Sequence, residues 1–221
     1  LGIKDINLSL DTLDREKFAQ VTRRDELPAV LSTMDELMKE SFNLSINTVF
    51  QSDKTLTEIE QLVGLAKEHK LSMRFIEEMP FNGSGSDVET GEKAWHFKNI
   101  KEKLQALYPE FKAVQNPPNS TSMLFEIPGF KGNIGIIPAF TRTICGSCNR
   151  VRITAAGKIK TCLYDKGEFD LKAYLRDPTT SDHAMKEILT NVIFEKYKNG
   201  FEAEEKSHSG EARESMSTIG G

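Results

Sequence analysis

Three extended segments separated by two amphipathic helical stretches constrain this chain more than any other feature. "IKDINLSL" (3–10) is a strand by its alternation. It is followed by "DELPAVLSTMDELMKES" (25–41), where Leu27, Val30, Leu31, Met34, Leu37 and Met38 recur at helical spacing. "NLSINTVF" (43–50) is the second strand, and "LTEIEQLVGLAKEH" (56–69) sets Ile59, Leu62, Val63 and Leu65 on one helical face. "LSMRFIEEM" (71–79) is the third strand. Strands that begin roughly 30 to 40 residues apart with a helix between them pair in parallel, because a parallel neighbour needs a crossover of that length. The leucines and methionines on these helices read as core.

After Met79 the pattern changes. "PFNGSGSDVETGEKAW" (80–95) reads as an exposed loop, followed by a helix over 97–107 and two β-rich pieces, "SMLFEI" and "GNIGIIP". A helical region is predicted from Ser181 to Glu205, ahead of a polar tail ending "ESMSTIGG". With 38% hydrophobic and 28% charged residues in 221, the chain is expected to be a soluble globular protein. Its net charge of −4 gives no global reason to bind nucleic acid or a membrane surface. No apolar run approaches the roughly 20 residues of a membrane span. Three cysteines, without a disulfide-like framework, fit a reducing cytoplasmic compartment. The first residue is Leu1 and a strand follows at once, so the sequence reads as entered midway through a fold.

All three cysteines lie within "FTRTICGSCNRVRITAAGKIKTCLYD" (140–165). Cys145 and Cys148 form a Cys-x-x-Cys pair, and Cys162 follows Cys148 after thirteen intervening residues. The intervening "RVRITAAGKIKTC" alternates around Ala156-Gly157, so a hairpin there returns Cys162 to the level of the pair. Three readings stay open on spacing alone: structural zinc, an iron–sulfur cluster with one iron lacking a protein ligand, and reduced buried thiols. Zinc lacks an obvious fourth ligand, since the nearest downstream histidine, His183, falls in a predicted helix. Arg150 and Arg152 project to one face of an extended chain and can fork onto phosphate oxygens, with Arg142 just upstream. A solvated surface charge is the plainer reading of each arginine taken singly. Together, three thiolates, an open metal position and a cationic clamp suggest a metal centre that receives a phosphorylated small molecule.

These motifs resemble the GTP 3′,8-cyclase family, radical S-adenosylmethionine enzymes of molybdenum cofactor biosynthesis. The carriers are Cys145-Gly-Ser-Cys148-Asn-Arg150-Val-Arg152 with "AAGK" and Cys162-Leu-Tyr, "NLSLD" (7–11), "RFIEEM" (74–79) and the terminal Ile219-Gly220-Gly221. The resemblance runs in order along the whole chain. It implies an α/β fold: the later strands of an incomplete (βα)6 TIM-like barrel with a C-terminal iron–sulfur-binding α+β extension. The implied domains are a partial barrel over 1–82, the remaining barrel edge and cluster/GTP region over 83–205, and a tail over 206–221.

It further implies that Cys145, Cys148 and Cys162 ligate a [4Fe–4S] cluster whose open iron meets the guanine of GTP. Arg150, Val151 and Arg152 line the GTP site, and Ser9 and Met79 contact S-adenosylmethionine. Asn47, Arg74, Gly220 and Gly221 are further candidates. The implied partners are GTP, S-adenosylmethionine, an electron donor and a second copy of the chain. The family's reaction abstracts the ribose 3′ hydrogen of GTP with a 5′-deoxyadenosyl radical and closes the new bond at guanine C8. Two departures stand out. The family's Cys-x₃-Cys-x₂-Cys motif, which holds the radical-generating second [4Fe–4S] cluster, has no counterpart here, so this chain alone is expected to be inactive. Ser45 occupies the place of a family lysine that contacts GTP, and a serine cannot supply that charge. The alternative from another class is a zinc-stabilised module that binds nucleotide or protein without catalysis.

Overall fold

A computed structural model describes residues 2–40, 42–50, 54–79, 96–141, 145–165, 167 and 169–207. The 80–95 loop, Arg142 and the tail with Gly220 and Gly221 lie outside them. Two compact units are present: 1–78 with 89–141, and 79–88 with 142–221.

The first unit is a mixed α/β layer built on a six-stranded sheet. Its strands are β1 (Asp5–Ser9), β2 (Asn43–Phe50), β3 (Ser72–Glu77), β4 (Lys112–Ala113), β5 (Met123–Glu126) and β6 (Asn133–Ile137). Their spatial order is β1-β2-β3-β6-β5-β4. The first four in that order run parallel, as the helix-separated spacing requires, and β5 and β4 complete the sheet antiparallel.

The helices are α1 (Arg15–Thr22), α2 (Leu27–Lys39), α3 (Leu56–Glu68) and α4 (Phe97–Leu107). Helix α3 starts where Thr55 and Glu58 form a reciprocal capping box, satisfying donors at its first turn. Helix α1 is an addition to the sequence reading: its apolar content is low, but Asp14 caps it by accepting from the Lys17 N–H, and Phe18 anchors it in the core.

The two faces of the sheet differ in kind. Leu44, Ile46 and Phe50 of β2, Met73 and Phe75 of β3, and Ile134 and Ile136 of β6 form one core with Ile59, Leu62 and Val63 of α3 and Ile100 and Leu104 of α4. Because side chains alternate along a strand, the other face receives Asp5, Asn7 and Ser9 of β1, Asn43, Ser45 and Asn47 of β2, Ser72 and Arg74 of β3, and Asn133 and Gly135 of β6. On the parallel strands that second face is polar in its N-terminal and middle rows apart from Gly135.

Glu77 ends β3 on the core side and is 1% exposed. Its carboxylate accepts hydrogen bonds from the backbone N–H of Phe97, which opens α4, and from those of Phe140 (2.8 Å) and Thr141 (2.7 Å). The Thr141 hydroxyl donates to it as well, at 2.9 Å to Oε1. One buried side chain thus ties the end of β3 to the start of a helix and to the strand-exit segment that precedes the cysteines.

The second unit holds a three-stranded antiparallel sheet of β7 (Arg152–Ile153), β8 (Lys158–Lys160) and β9 (Phe169–Asp170), with α5 (Leu171–Arg176), α6 (Asp182–Phe194) and α7 (Gly200–Ser207). The single helical region predicted over 181–205 is instead two helices. The Asn199 side chain accepts from the Phe201 and Glu202 N–H groups and so starts α7 afresh, while Lys196, between the helices, is drawn away to other partners. Helix α5 was not anticipated because it is one short capped segment, begun by Asp170 accepting from the Ala173 N–H.

Candidate metal and substrate site

The predicted hairpin is present. β7 and β8 pair antiparallel with Arg152 opposite Lys160 and Ile153 opposite Ile159. The turn between them closes with Gly157 N–H donating to the Thr154 carbonyl. Gly157 has φ 84°, a left-handed conformation open to glycine at little cost. Continuing this register past β7 and β8 brings Cys162 level with Arg150, two residues from Cys148. Strand β7 is shorter than the alternation suggested, and Arg150 lies just before it.

Cys145 and Cys148 sit on a single 3-10 turn, residues 145–147, with the Cys148 N–H donating to the Cys145 carbonyl at 3.2 Å. All three cysteines are free thiols of intermediate exposure. Burial alone would raise the Cys148 thiol, yet it is held below its ordinary range by the Arg150 backbone N–H and by the charges of Arg150 and Lys196. Burial pushes the Cys162 thiol up; a backbone N–H from Tyr164 opposes this, while the charges of Asp165, Cys145 and Cys148 add to it. Burial lowers the Arg152 guanidinium, and its neighbour Arg150 does the same, while Cys148, Cys162 and Asp165 favour its charged form. A half-buried cation facing thiols and a carboxylate has less water to compete for an incoming anion.

Two residues that sequence reasoning passed over hold this site in shape. Asp165, 5% exposed, accepts from the Cys162 N–H (2.7 Å), the Thr161 hydroxyl (3.1 Å) and the Gly167 N–H (2.8 Å), fixing the turn that carries Cys162. Its sequence signal is an Asp three residues beyond Cys162 in a turn-forming stretch, a common pattern with low specificity. Lys196 donates to the carbonyl oxygens of Cys148 and Arg150, and no motif in the sequence marks it. Met79 belongs to the same unit and packs, as Cys162 does, on a small cluster around Tyr164 and Ala203.

In the first unit, the parallel register places three candidates in one row. Ser9 pairs with Asn47, and Asn47 with Arg74, so all three project from the polar face at the same height. Gly135 continues the row on β6. The Arg74 side chain lies across Gly135 and donates from Nη1 to Asn7 Oδ1 at 3.1 Å. Burial lowers its guanidinium, opposed by Asp5. Arg74 Nε, Asn47 Oδ1 and Ser122 Oγ are buried polar atoms without a hydrogen-bond partner. Such atoms are rare in folded proteins. Ser45 sits one row lower, with Asn7 on one side and Ser72 on the other, and is 6% exposed. A cavity of about 750 Å³ opens beside it, lined by Asp5, Asn7, Ser45, Ser72, Arg74 and Asn133 among others. That cavity lies toward the N-terminal ends of the strands, whereas barrel-type sites form at the C-terminal ends, where Ser9 terminates β1.

Fold and site together define an α/β protein with a mainly parallel sheet and a separate unit that presents a thiol trio beside paired arginines. The family model described as Molybdenum Cofactor Synthesis C matches residues 71–202, and the chain belongs to that family. It is 37% identical over 221 residues to GTP 3′,8-cyclase of Chlorobaculum tepidum, covering 100% of this chain and 64% of the relative. GTP 3′,8-cyclase of Clostridium perfringens is 34% identical over 221 residues, covering 100% of this chain and 66% of the relative. Molybdenum cofactor biosynthesis protein 1 of Drosophila melanogaster is 34% identical over 207 residues, covering 94% of this chain and 36% of that protein. The chain thus spans between about a third and two thirds of the length of these curated relatives.

Proposed function

We propose that this chain supplies the cluster- and nucleotide-binding portion of a GTP 3′,8-cyclase acting in the first step of molybdenum cofactor synthesis. The observation that supports the proposal is the antiparallel β7–β8 register, which returns Cys162 to the level of Arg150, between the Cys145–Cys148 turn and the half-buried Arg152.

The donor set fits a [4Fe–4S] cluster. A four-iron cluster takes each of three thiolates on a separate iron and leaves the fourth iron without a protein ligand, whereas tetrahedral zinc needs a fourth ligand from the protein. His183, the histidine weighed for zinc, has its side chain 83% exposed and faces Glu187 at 3.7 Å. The zinc module is therefore the weaker reading.

In this proposal Cys145, Cys148 and Cys162 hold the cluster, which would supply a Lewis-acidic iron with a position left for the guanine base. Arg150 and Arg152 hold the triphosphate, with Val151 between them in sequence. Arg152 is desolvated in advance, so less of its attraction is spent on displacing water. Ser9 and Met79 are assigned to S-adenosylmethionine by resemblance, and Asn47 and Arg74, in the row of Ser9, are further active-site candidates whose unpartnered atoms offer an acceptor and a donor. Ser45 offers only a hydroxyl at the family lysine position, so phosphate binding rests more heavily on the arginines. Gly220 and Gly221 are assigned to the same site by resemblance alone. The sheet is read as part of an incomplete (βα)6 barrel, and the second unit as its cluster-binding extension.

The test is anaerobic purification of the full chain, with analysis of iron, acid-labile sulfide and zinc. Iron and sulfide that are lost in air and in Cys162→Ser support the proposal; stoichiometric, air-stable zinc overturns it. Arg152→Ala should retain iron and weaken GTP binding by about 1.5–3 kcal/mol, the cost of a charge-assisted contact. Unchanged affinity would remove the arginine from the phosphate role.

A further inference from the structure

We propose that Lys196 is a positioning residue that clamps the Cys148–Arg150 segment and sets the thiol of Cys148 in register with Arg150 and Arg152. The inference rests on the cluster reading given above.

The geometry is direct. The Lys196 ammonium donates to the Cys148 carbonyl at 2.7 Å and to the Arg150 carbonyl at 2.9 Å, and it lies 3.8 Å from the Cys148 sulfur. Two oxygens held by one ammonium at these distances lie within about 5.6 Å of each other, closer than the roughly 6.6 Å two-residue repeat of a fully extended chain, so the clamp holds residues 148–150 in a contracted, bent conformation. A lysine that fixes the carbonyls therefore also fixes where the thiol and the two guanidiniums stand relative to each other. The segment lies between the 3-10 turn and β7, outside any strand, and needs such a brace. The ammonium meanwhile places a positive charge beside a cluster ligand, which favours the more negative, reduced state of a bound cluster. This position between α6 and α7 accounts for the break in the predicted single helix: the chain leaves α6 at Phe194, and Lys196 is the residue turned back to the thiol loop.

The other groups facing the sulfurs are Arg150, Arg152 and Asp165, and each has a distinct task. Arg152 and Asp165 lie along the hairpin, and Arg150 offers its N–H to Cys148. Lys196 is the group in this set that comes from the helical part of the unit.

Two variants of the full chain test the proposal. Lys196→Met keeps the stem and loses the charge and donors; Lys196→Arg keeps both. Hydrogen exchange of the peptide covering 145–153, measured on iron-free protein, reads the clamp without any metal. It should quicken on the order of tenfold in Lys196→Met and return close to the unmodified rate in Lys196→Arg. In loaded protein, the cluster midpoint potential of Lys196→Met should move to more negative values, and that of Lys196→Arg should not. A merely structural lysine moves exchange without moving the potential. Failure of Lys196→Met to retain iron, with unchanged far-ultraviolet dichroism and recovery in Lys196→Arg, also upholds the clamp. Unchanged exchange in Lys196→Met overturns it, as does an unchanged potential. An unmodified chain that takes up no iron would defeat the cluster reading alone, since the exchange comparison still decides the clamp.

Discussion

Replacing Glu77 by glutamine isolates the buried carboxylate that joins β3, α4 and the segment leading to the cysteines. Glu77 Oε2 accepts from the N–H groups of Phe140 and Thr141, and Oε1 from the Phe97 N–H and the Thr141 hydroxyl. Glutamine keeps one oxygen, which can serve two of the three backbone donors. Its NH₂ then confronts the third, most simply that of Phe97. The Thr141 hydroxyl can rotate and accept, so it adds little to the loss. One buried N–H left without an acceptor costs about 1–3 kcal/mol, and two remaining bonds lose the strength that a full negative charge gives them. With 1% exposure, water cannot replace the missing acceptor. The expected destabilisation is about 2–4 kcal/mol, and Glu77→Ala should cost more because every donor loses its acceptor. Urea unfolding followed by circular dichroism should show a lower midpoint with an unchanged slope, the signature of lost stability without altered compactness. A loss under about 1 kcal/mol for Glu77→Gln, or one equal to that of Glu77→Ala, would refute the carboxylate's role as a multiple acceptor.

Gly135→Ala should destabilise the first unit by about 1–3 kcal/mol, since the new Cβ would fall 2.2 Å from Ser122 Oγ and 3.0 Å from Arg74 Cγ. Adding Ser122→Ala should recover much of that loss in the same unfolding assay, and strict additivity of the two changes would show that the clash is not the cause. Glu58 gives a pH prediction. Burial alone would raise its carboxyl, but the Thr55 N–H, the Lys17 ammonium and the Thr55 hydroxyl hold it down to about 2 from an ordinary 4.5. A depressed carboxyl stabilises the fold above its unfolded value, and that stability is lost as pH falls through the folded one. The stability gap between the unmodified chain and Glu58→Gln should therefore be full above pH 4.5 and close toward pH 2; a gap independent of pH would exclude the ion pair with Lys17 as its source.

Much of the architecture is legible in the sequence because its signals are local. The helix-separated spacing of residues 3–10, 43–50 and 71–79 forces parallel pairing, and apolar residues at helical spacing on α2 and α3 name the core. The hairpin between Cys148 and Cys162 was likewise visible, since alternation and a glycine at the turn are properties of neighbouring residues. What the sequence could not express is register and long-range polar contact. Only the parallel pairing shows that Ser9, Asn47 and Arg74 form one row, because a slip of one residue would have sent them to the opposite face. Only the folded chain shows why position 135 is glycine, with Arg74 and Ser122 pressed against it. Glu77, Asp165 and Lys196 read in the sequence as ordinary charged residues; the burial of Glu77 and Asp165, and the partners of all three, make each a support of its own unit. Lys196 acts across 48 residues from Cys148. Periodicity carries no information about such a contact, which exists only once the packing of α6 and the hairpin brings the ammonium to two backbone carbonyls.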